Sequence, residues 1–328
     1  MAKDLGREIG AVAGKVSANI EKVIVGKKLQ VTLALVAYLA EGHILLEDVP
    51  GVAKTMLARA LARSVGCVFK RVQCTPDLLP TDITGVSVFN PKTSEFEFRT
   101  GPIFAQTLLA DEINRATPRT QAALLEAMAE RRVTVDGQTY NLKPPFLVIA
   151  TQNPIDQEGT FPLPEAQLDR FLMRLSMGYP SMEDEERLLG RLQKSHPIDE
   201  IQPVVSAAEW QAAQEATRDI VVDDKVRRYL LEIVHGTREH DDVALGGSPR
   251  AGIALYRAAQ AHAALAGRSF VTPDDVKRLV QPVLAHRLIV RPEARLRKVT
   301  PAALLHEIVA DVRVPHLPGT GATDHFSR

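Results

Sequence analysis

The sequence predicts an α/β fold, a parallel sheet between helices with β-hairpin inserts, followed by an all-helical C-terminal domain. Three observations carry that expectation. Short apolar runs at residues 44–46, 68–73, 107–110, 146–150 and 171–176 alternate with helical patterns, the signature of a sheet covered on both faces. The first of these runs leads into a turn and a Lys-Thr pair that opens a helix. After Tyr179-Pro180 only helical periodicity continues. The expected division is therefore an α/β unit at 1–179, a helical unit at 180–314 and a disordered tail, rich in Pro, Gly and Thr, at 315–328.

Composition narrows the class. A chain of 328 residues, 45% hydrophobic and 24% charged, suits two ordinary globular domains. Forty basic and forty acidic residues cancel, so net charge points to neither a nucleic acid nor an anionic membrane. The charged N-terminus has no signal-peptide core, and no run approaches the ~18 apolar residues of a spanning helix; a cytoplasmic protein without membrane insertion is expected. Cys67 and Cys74 flank an expected buried strand without a companion pair at ligand spacing, which reads as reduced core thiols.

Taken in order, Leu5, Ile9, Val12, Val16, Ile20 and Val23 recur at three- and four-residue intervals and predict an amphipathic first helix. Val25-Gly26 then turns the chain into a helix at 27–40; that turn either lines an adenine pocket or is a plain helix break. Residues 43–55 read as a phosphate-binding loop. Ile44 to Leu46 suit a strand, Pro50-Gly51 break it, and Met56, Leu57, Ala60, Leu61 and Val65 continue as a helix. In such a loop the backbone N–H groups of Gly51, Val52, Ala53 and the first helical turn face an anion, Lys54 reaches the terminal phosphates, and the Thr55 hydroxyl serves Mg²⁺. Asp48 and Ala53 stand where the strict pattern has glycines. Ala53 carries a Cβ into a position that favours positive φ, which would tighten the loop or weaken nucleotide affinity.

Two alternating runs around Asn90-Pro91-Lys92-Thr93-Ser94 predict a hairpin at 86–98, either a partner-contacting insert or surface decoration. Thr107 to Ala110 is a buried run that ends in Asp111-Glu112. Beside a phosphate loop, Asp111 would hold Mg²⁺ through its water shell and Glu112 would polarise the attacking water. A helix at 118–130 follows, then a second hairpin around Asp136-Gly137. The strand at 146–150 delivers Asn153, whose amide can orient the water at the sheet's ligand-binding edge. Arg170 precedes the last strand and would serve either its own site or a neighbour's nucleotide as an arginine finger.

Glu47 to Thr55, Gly101-Pro102-Ile103-Phe104, Ala110-Asp111-Glu112-Ile113-Asn114-Arg115-Ala116, Leu124-Leu125-Glu126-Ala127-Met128, Ala150-Thr151-Gln152-Asn153-Pro154, Pro164 to Phe171 and Ser248-Pro249-Arg250-Ala251 together resemble the MoxR family of AAA+ ATPases. A more distant similarity is to the ATPase subunit of magnesium chelatase. The resemblance implies an AAA+ P-loop NTPase core with a helical lid, ATP and Mg²⁺ as cofactors, and a head-to-tail ring, a hexamer. It makes Lys54-Thr55 the Walker A pair, Asp111-Glu112 the Walker B pair, Asn153 sensor 1, Arg170 the finger in trans, with Arg115 and Arg174 as other candidates for that role, and Arg250 sensor 2. Its two hairpins resemble the helix-2 insert and the pre-sensor hairpin. Ala53 is a departure from the general loop consensus that related MoxR sequences share. The implied partner is a client protein, a von Willebrand factor A-type protein or a metalloenzyme being matured.

The C-terminal half predicts helices at 182–194, 206–217, 223–240, 249–266, 273–286 and 301–311. Thr272-Pro273 followed by two acids is a helix start with its hydroxyl cap, and Ser248-Pro249-Arg250 repeats it with a cation where the helix dipole favours an acid. That inversion suits a phosphate in front of the helix, so Arg250 is expected at the γ-phosphate of its own chain. His235, His240, His262, His286 and His306 lack mutual ligand spacing, and Trp210 reads as a core anchor. Two other functions share the motifs. A DNA-remodelling motor would carry basic inserts, but Lys92, Arg99, Arg131, Arg132 and Lys143 are offset by Glu95, Glu97 and Asp136, so no nucleic acid is expected. A nucleotide-dependent scaffold would bind ATP yet have no use for Glu112.

Overall fold

The computed structural model describes residues 2–49, 51–154, 159–192 and 196–316. Pro50 and residues 317–328 of the expected tail lie outside them. The first helix, α1 (Ala2–Glu21), buries Ile9, Ala13, Val16 and Ile20, and α2 (Lys28–Leu39) buries most of its length. The α/β unit then runs β1 (Ile44–Glu47), α3 (Lys54–Ser64), β2 (Phe69–Gln73), α4 (Pro80–Thr84), β3 (Gly85–Asn90), β4 (Glu95–Thr100), β5 (Thr107–Asp111), α5 (Pro118–Glu130), β6 (Arg132–Val135), β7 (Gln138–Asn141), β8 (Leu147–Gln152), α6 (Glu165–Leu168) and β9 (Met173–Leu175).

Five strands form one parallel sheet in the order β2-β5-β8-β1-β9. The apolar runs of β1, β5 and β8 are buried on both faces, as a parallel sheet between helices requires. Their carboxyl ends are neighbours, and these are the ends that carry Asp48, Asp111 and Gln152-Asn153. The expectation of a buried strand between the cysteines needs correcting: β2 lies at the sheet edge, and Val72 is its only fully buried residue. Cys74 beyond it is buried, and burial pushes its thiol up to about 12, in keeping with an inert core residue.

Both hairpins form where the turn chemistry places them. β3 pairs with β4 from Gly85↔Thr100 to Asn90↔Glu95, and β6 pairs with β7 around Asp136-Gly137, where both φ values are positive. Phe98 of the first stacks on Tyr140 of the second, ring centroids 4.4 Å apart, and Phe104 packs edge-on against both. The hairpins therefore share one aromatic joint.

The C-terminal region comprises α7 (Met182–Leu192), α8 (Pro197–Glu200), α9 (Ala207–Thr217), α10 (Asp224–Glu239), β10 (Val243–Leu245), α11 (Pro249–Leu265), α12 (Pro273–Leu284), β11 (Ile289–Val290), α13 (Pro292–Leu296) and α14 (Pro301–Asp311). The small antiparallel pair β10-β11 was not anticipated, because runs of two and three residues carry no readable alternation. Alanines along α11 permit its close packing on α1, α2 and α12. Trp210 is fully buried against Tyr38, as expected of a core anchor. Thr272 caps α12 in a reciprocal box with Asp275. Ser248 does not cap α11.

His43, just before β1, gives a testable consequence of this packing. Its Nδ1 accepts from the Val148 N–H at 3.0 Å, so the ring proton sits on Nε2 and is donated to the Met128 carbonyl at 3.1 Å. Burial pushes the imidazole down to about 4; the Met128 bond opposes that and Arg131 adds to it. The unfolded chain then takes up the proton first. The contribution is complete above the unfolded value of about 6.5 and is lost as pH falls toward 4, on the order of 3 kcal/mol. Urea melts should show stability declining below pH 6.5, with a shallower slope in His43→Gln; the slope persists in part because burial also depresses His286. An unchanged slope in the variant would contradict the assignment.

Candidate active site

At the carboxyl ends of β1, β5 and β8, Gly51, Val52, Ala53, Lys54 and Thr55 share a pocket of about 300 Å³ with Arg71, Gln73, Asp111, Glu112 and Asn153. The sheet order makes this meeting necessary, since the loop after β1 sits one strand from β8 and two from β5. Helix α3 starts without a capping side chain, so its first N–H groups are left for an anion. Met56 lies in that first turn, partly buried against the core. It is not among the residues that line the pocket.

Lys54 Nζ donates to the Asp48 carbonyl at 2.8 Å. Burial lowers its ammonium below the usual range, while Asp111, Asp48 and Glu112 act in the opposite sense. Asp48, in the place of the first loop glycine, has a role the motif did not reveal. Its Oδ2 accepts from Ser176 Oγ at 2.9 Å and from the Gly178 N–H at 2.6 Å, tying the loop to the exit of β9. Burial alone would raise this carboxyl; the bonds from Gly178, Ser176, Val49 and Met177 outweigh it and hold it below its ordinary value. Ala53 sits at φ 59°, so the expected positive φ is present and carries the strain of a Cβ. Glu112 is likewise left-handed at φ 56°. Strained non-glycine residues of this kind gather at functional sites.

The acid pair is held by neighbours on both sides. From β8, Thr151 Oγ1 donates to Asp111 Oδ1 at 2.5 Å and accepts from the Glu112 N–H at 2.8 Å. From β2, Arg71 donates to Asp111 Oδ2 at 2.6 Å and Gln73 Nε2 donates to Glu112 Oε2 at 3.0 Å. Arg115 reaches the same Glu112 oxygen at 3.1 Å. Sequence reasoning assigned no role to Thr151, Arg71 or Gln73. The signal lies in strand pairing, Gln73 opposite Asp111, which no local spacing encodes.

Among the described residues no cluster of three or more His, Cys, Asp or Glu could hold a metal by itself. The oxygen donors of Thr55 and Asp111 fit Mg²⁺, which takes one or two protein ligands and completes its shell with phosphate and water. A softer metal has no ligands here.

Arg170 and Arg250 are not brought to this pocket. They line another of about 270 Å³ with Glu41, Gly42, His43, Arg131, Asp169, Arg257 and Arg287. Residues 40–43 and 172 precede β1 and β9, so this second pocket lies at the amino ends of the strands. The four residues of β1 alone separate the two ends by about 13 Å. The expectation that Arg250 faces its own chain's γ-phosphate therefore gives way to a shared location with Arg170, because α11 packs behind the sheet on α1 and α2. Glu41 is engaged by Arg131 and Arg218, and Asp169 by Arg287. Arg170 and Arg250 have no ionic partner among the described residues. The other finger candidates are occupied: Arg115 by Glu112, and Arg174 by Glu47 at 3.0 Å.

Val25 and Gly26 line neither pocket. Gly26, at φ 72°, approaches α7 so closely that a Cβ would lie 1.9 Å from Asp184 Oδ2. The turn thus joins the α/β unit to the first C-terminal helix.

Residues 43–173 match the model for the ATPase family associated with various cellular activities (AAA), and residues 235–308 match the AAA lid domain. The chain is 39% identical over 316 residues to chaperone MoxR1 of Mycobacterium tuberculosis, covering 94% of this chain and 83% of that protein. It belongs to the MoxR family of AAA+ ATPases. A Bacillus subtilis protein called YeaC is 52% identical over 308 residues, covering 94% of this chain and 96% of its own. A crystal structure from Cytophaga hutchinsonii superposes with a TM-score of 0.89 at 35% identity, covering 96% of this chain and 98% of the other. In this MoxR chain the AAA match runs from His43 through Met173 and thus contains the phosphate loop, the acid pair, Asn153 and Arg170, while Arg250 falls in the lid match. No described helix is long and apolar enough to cross a membrane.

Proposed function

We propose that the chain binds and hydrolyses ATP with Mg²⁺ in a head-to-tail ring, a hexamer, and uses the turnover to remodel or activate a partner protein in the cytoplasm. The observation that carries this reading is the separation of charges. Lys54, Asp111, Glu112 and Asn153 share the carboxyl-end pocket, and Arg170 and Arg250, cations without an ionic partner among the described residues, lie at the opposite end of the sheet. A triphosphate at Lys54 lacks those cations unless a second chain supplies them, and repeated head-to-tail contacts close into a ring.

In this reading Lys54 and the amides opening α3 hold the phosphates. Mg²⁺, when bound at Thr55 and Asp111, would offset charge on the β- and γ-phosphates. Glu112 accepts a proton from the attacking water and Asn153 orients that water toward the γ-phosphate. Before it can do so, Glu112 leaves Gln73 and Arg115, both of which now donate to its Oε2. The neighbour's Arg170 and Arg250 then stabilise the charge on the transferring phosphoryl group. The unit at 1–179 serves as nucleotide-binding core and 180–314 as lid, with the Val25-Gly26 turn and Asp184 at their junction; in this reading the base reaches beyond the phosphate pocket to that turn. The jointed hairpins present exposed Phe89 and Phe96 to a client, in this reading a von Willebrand factor A-type protein or a metalloenzyme. The chaperone name of the mycobacterial relative supports that output.

Purified protein should release phosphate from MgATP, and Lys54→Ala should abolish nucleotide retention with an unchanged circular dichroism spectrum. Retention equal to wild type in that variant would remove the basis of the reading.

A further inference from the structure

We infer that Asp169 is a positioning residue that sets Arg170 and Arg250 as one unit for the neighbouring site, an inference that rests on the proposed cross-chain role of those cations. Asp169 Oδ1 accepts from Arg287 Nε at 2.7 Å, and its Oδ2 accepts from Ser248 Oγ at 3.0 Å. Asp169 immediately precedes Arg170, and Ser248 stands two residues before Arg250. A single carboxylate therefore joins the two backbone segments that present the cations.

The backbone around Arg170 is fixed from the same side. Arg287, buried to 3% side-chain exposure, also donates to the carbonyls of Asp169 at 3.2 Å, Phe171 at 2.6 Å and Leu172 at 3.2 Å. His286 Nε2 lies 3.1 Å from the Phe171 carbonyl. The carbonyls on both sides of Arg170 are thus held by the turn Ala285–Arg287 of the C-terminal region, while the Arg170 side chain itself has no ionic partner among the described residues. Arg287 answers to α12 as well, through the Val283 carbonyl, so a shift of the lid helices moves the finger segment with them.

The Ser248 hydroxyl is turned to this carboxylate and not to its own helix. As the N-cap residue of α11 it could accept from the helix's own N–H groups, the use to which Thr272 and Thr300 put theirs at α12 and α14. It makes no capping bond and donates to Asp169. Donation alone would not forbid a cap, since Thr272 donates to Asp275 Oδ2 at 2.8 Å and still accepts the Asp275 N–H; it is the placement of the Ser248 hydroxyl toward Asp169 that links Arg250's helix to Arg170's loop. A merely structural pair between lid and core would need Arg287 and Asp169 but would have no use for that serine.

Two variants test this. Ser248→Ala cuts only the link to α11 and leaves the Asp169–Arg287 pair intact. Asp169→Asn keeps an acceptor for Ser248 and removes the charge opposite Arg287. Because the triphosphate pocket lies at the other end of the sheet, KM for ATP should stay within about twofold while kcat falls roughly 10- to 100-fold in Asp169→Asn and less in Ser248→Ala, as expected when a charge is misplaced by about an ångström. Each variant, mixed with Glu112→Gln protein, which offers intact cations and cannot hydrolyse, should regain activity several-fold above the sum of the separate proteins. Arg170→Ala mixed with Glu112→Gln is the control. If the control is rescued and neither variant is, or if Ser248→Ala keeps wild-type kcat, Asp169 only braces the fold and the inference is overturned. If the control itself is not rescued, the cross-chain reading fails, and this one with it. Should Asp169→Asn fail to fold, Ser248→Ala decides alone.

Discussion

Arg170→Ala is expected to lower ATP turnover by about 10³-fold or more while leaving nucleotide affinity nearly unchanged. The magnitude follows from where charge develops. A cation supplied to the transferring phosphoryl group acts mainly in the transition state, so its removal lowers kcat and leaves ground-state binding to Lys54 and the loop amides. The residue's surroundings make the substitution clean: Arg170 forms no ion pair among the described residues, and the segment that bears it is held through main-chain carbonyls that alanine retains. Phosphate release together with equilibrium binding of a fluorescent ATP analogue checks both halves. A variant that loses affinity in step with turnover would show that Arg170 belongs to a different event.

Glu112→Gln should cut turnover by about 10²- to 10⁴-fold and still retain ATP. Glutamine preserves the size of the side chain and an acceptor oxygen for Gln73, but it cannot take the proton from water. The Glu112 main chain, fixed in its left-handed conformation by the bond to Thr151, does not depend on the carboxylate. A protein arrested with ATP in place should also hold its partner, so affinity capture from lysate with this variant and ATP should recover a client that Lys54→Ala does not. Unimpaired hydrolysis in Glu112→Gln would place the base elsewhere and favour a scaffold that binds nucleotide without using this acid.

What the sequence made legible was local. The phosphate loop, the acid pair at the end of an apolar run and the amide after the next strand each lie within a few consecutive residues, and the alternation of strands and helices was enough to bring them to one edge. Both hairpins were readable for the same reason, since Asp136-Gly137 and Asn90-Pro91 announce their turns. The partners of the acids were not readable. Gln73 and Arg71 meet Asp111 and Glu112 through the pairing of β2 with β5, nearly forty residues apart, and edge-strand polar residues look like ordinary solvated ones. Asp48 looked like a defect in a loop pattern until its carboxylate was seen to bind Ser176 and Gly178.

Arg250 illustrates a different limit. The inverted charge at the start of α11 did mark an unusual helix terminus, and Arg250 stands there without an ionic partner among the described residues. Which phosphate it could meet depends on how the C-terminal helices dock, and that is decided by the small-residue face of α11 against α1 and α2. Gly6 shows how tight this packing is: a Cβ there would lie 2.3 Å from the Arg268 backbone. Periodicity predicts that such helices exist, and it is silent on the end of the sheet they will face. Ser248 was misread for a related reason, because a hydroxyl before Pro at a helix start is normally a cap, whereas this one makes no capping bond and reaches Asp169, a tertiary contact that local sequence does not encode.

The most direct measurement uses two inactive proteins. In the proposed reading Lys54→Ala should not hold a triphosphate yet should present Arg170 and Arg250, and Arg170→Ala should hold the triphosphate yet offer its neighbour no finger. Phosphate release by an equimolar mixture should rise well above the sum of the two, because some pairs of adjoining chains then contain one intact site. A mixture that stays at that sum, with both variants assembled together, would mean that each chain hydrolyses with its own residues alone.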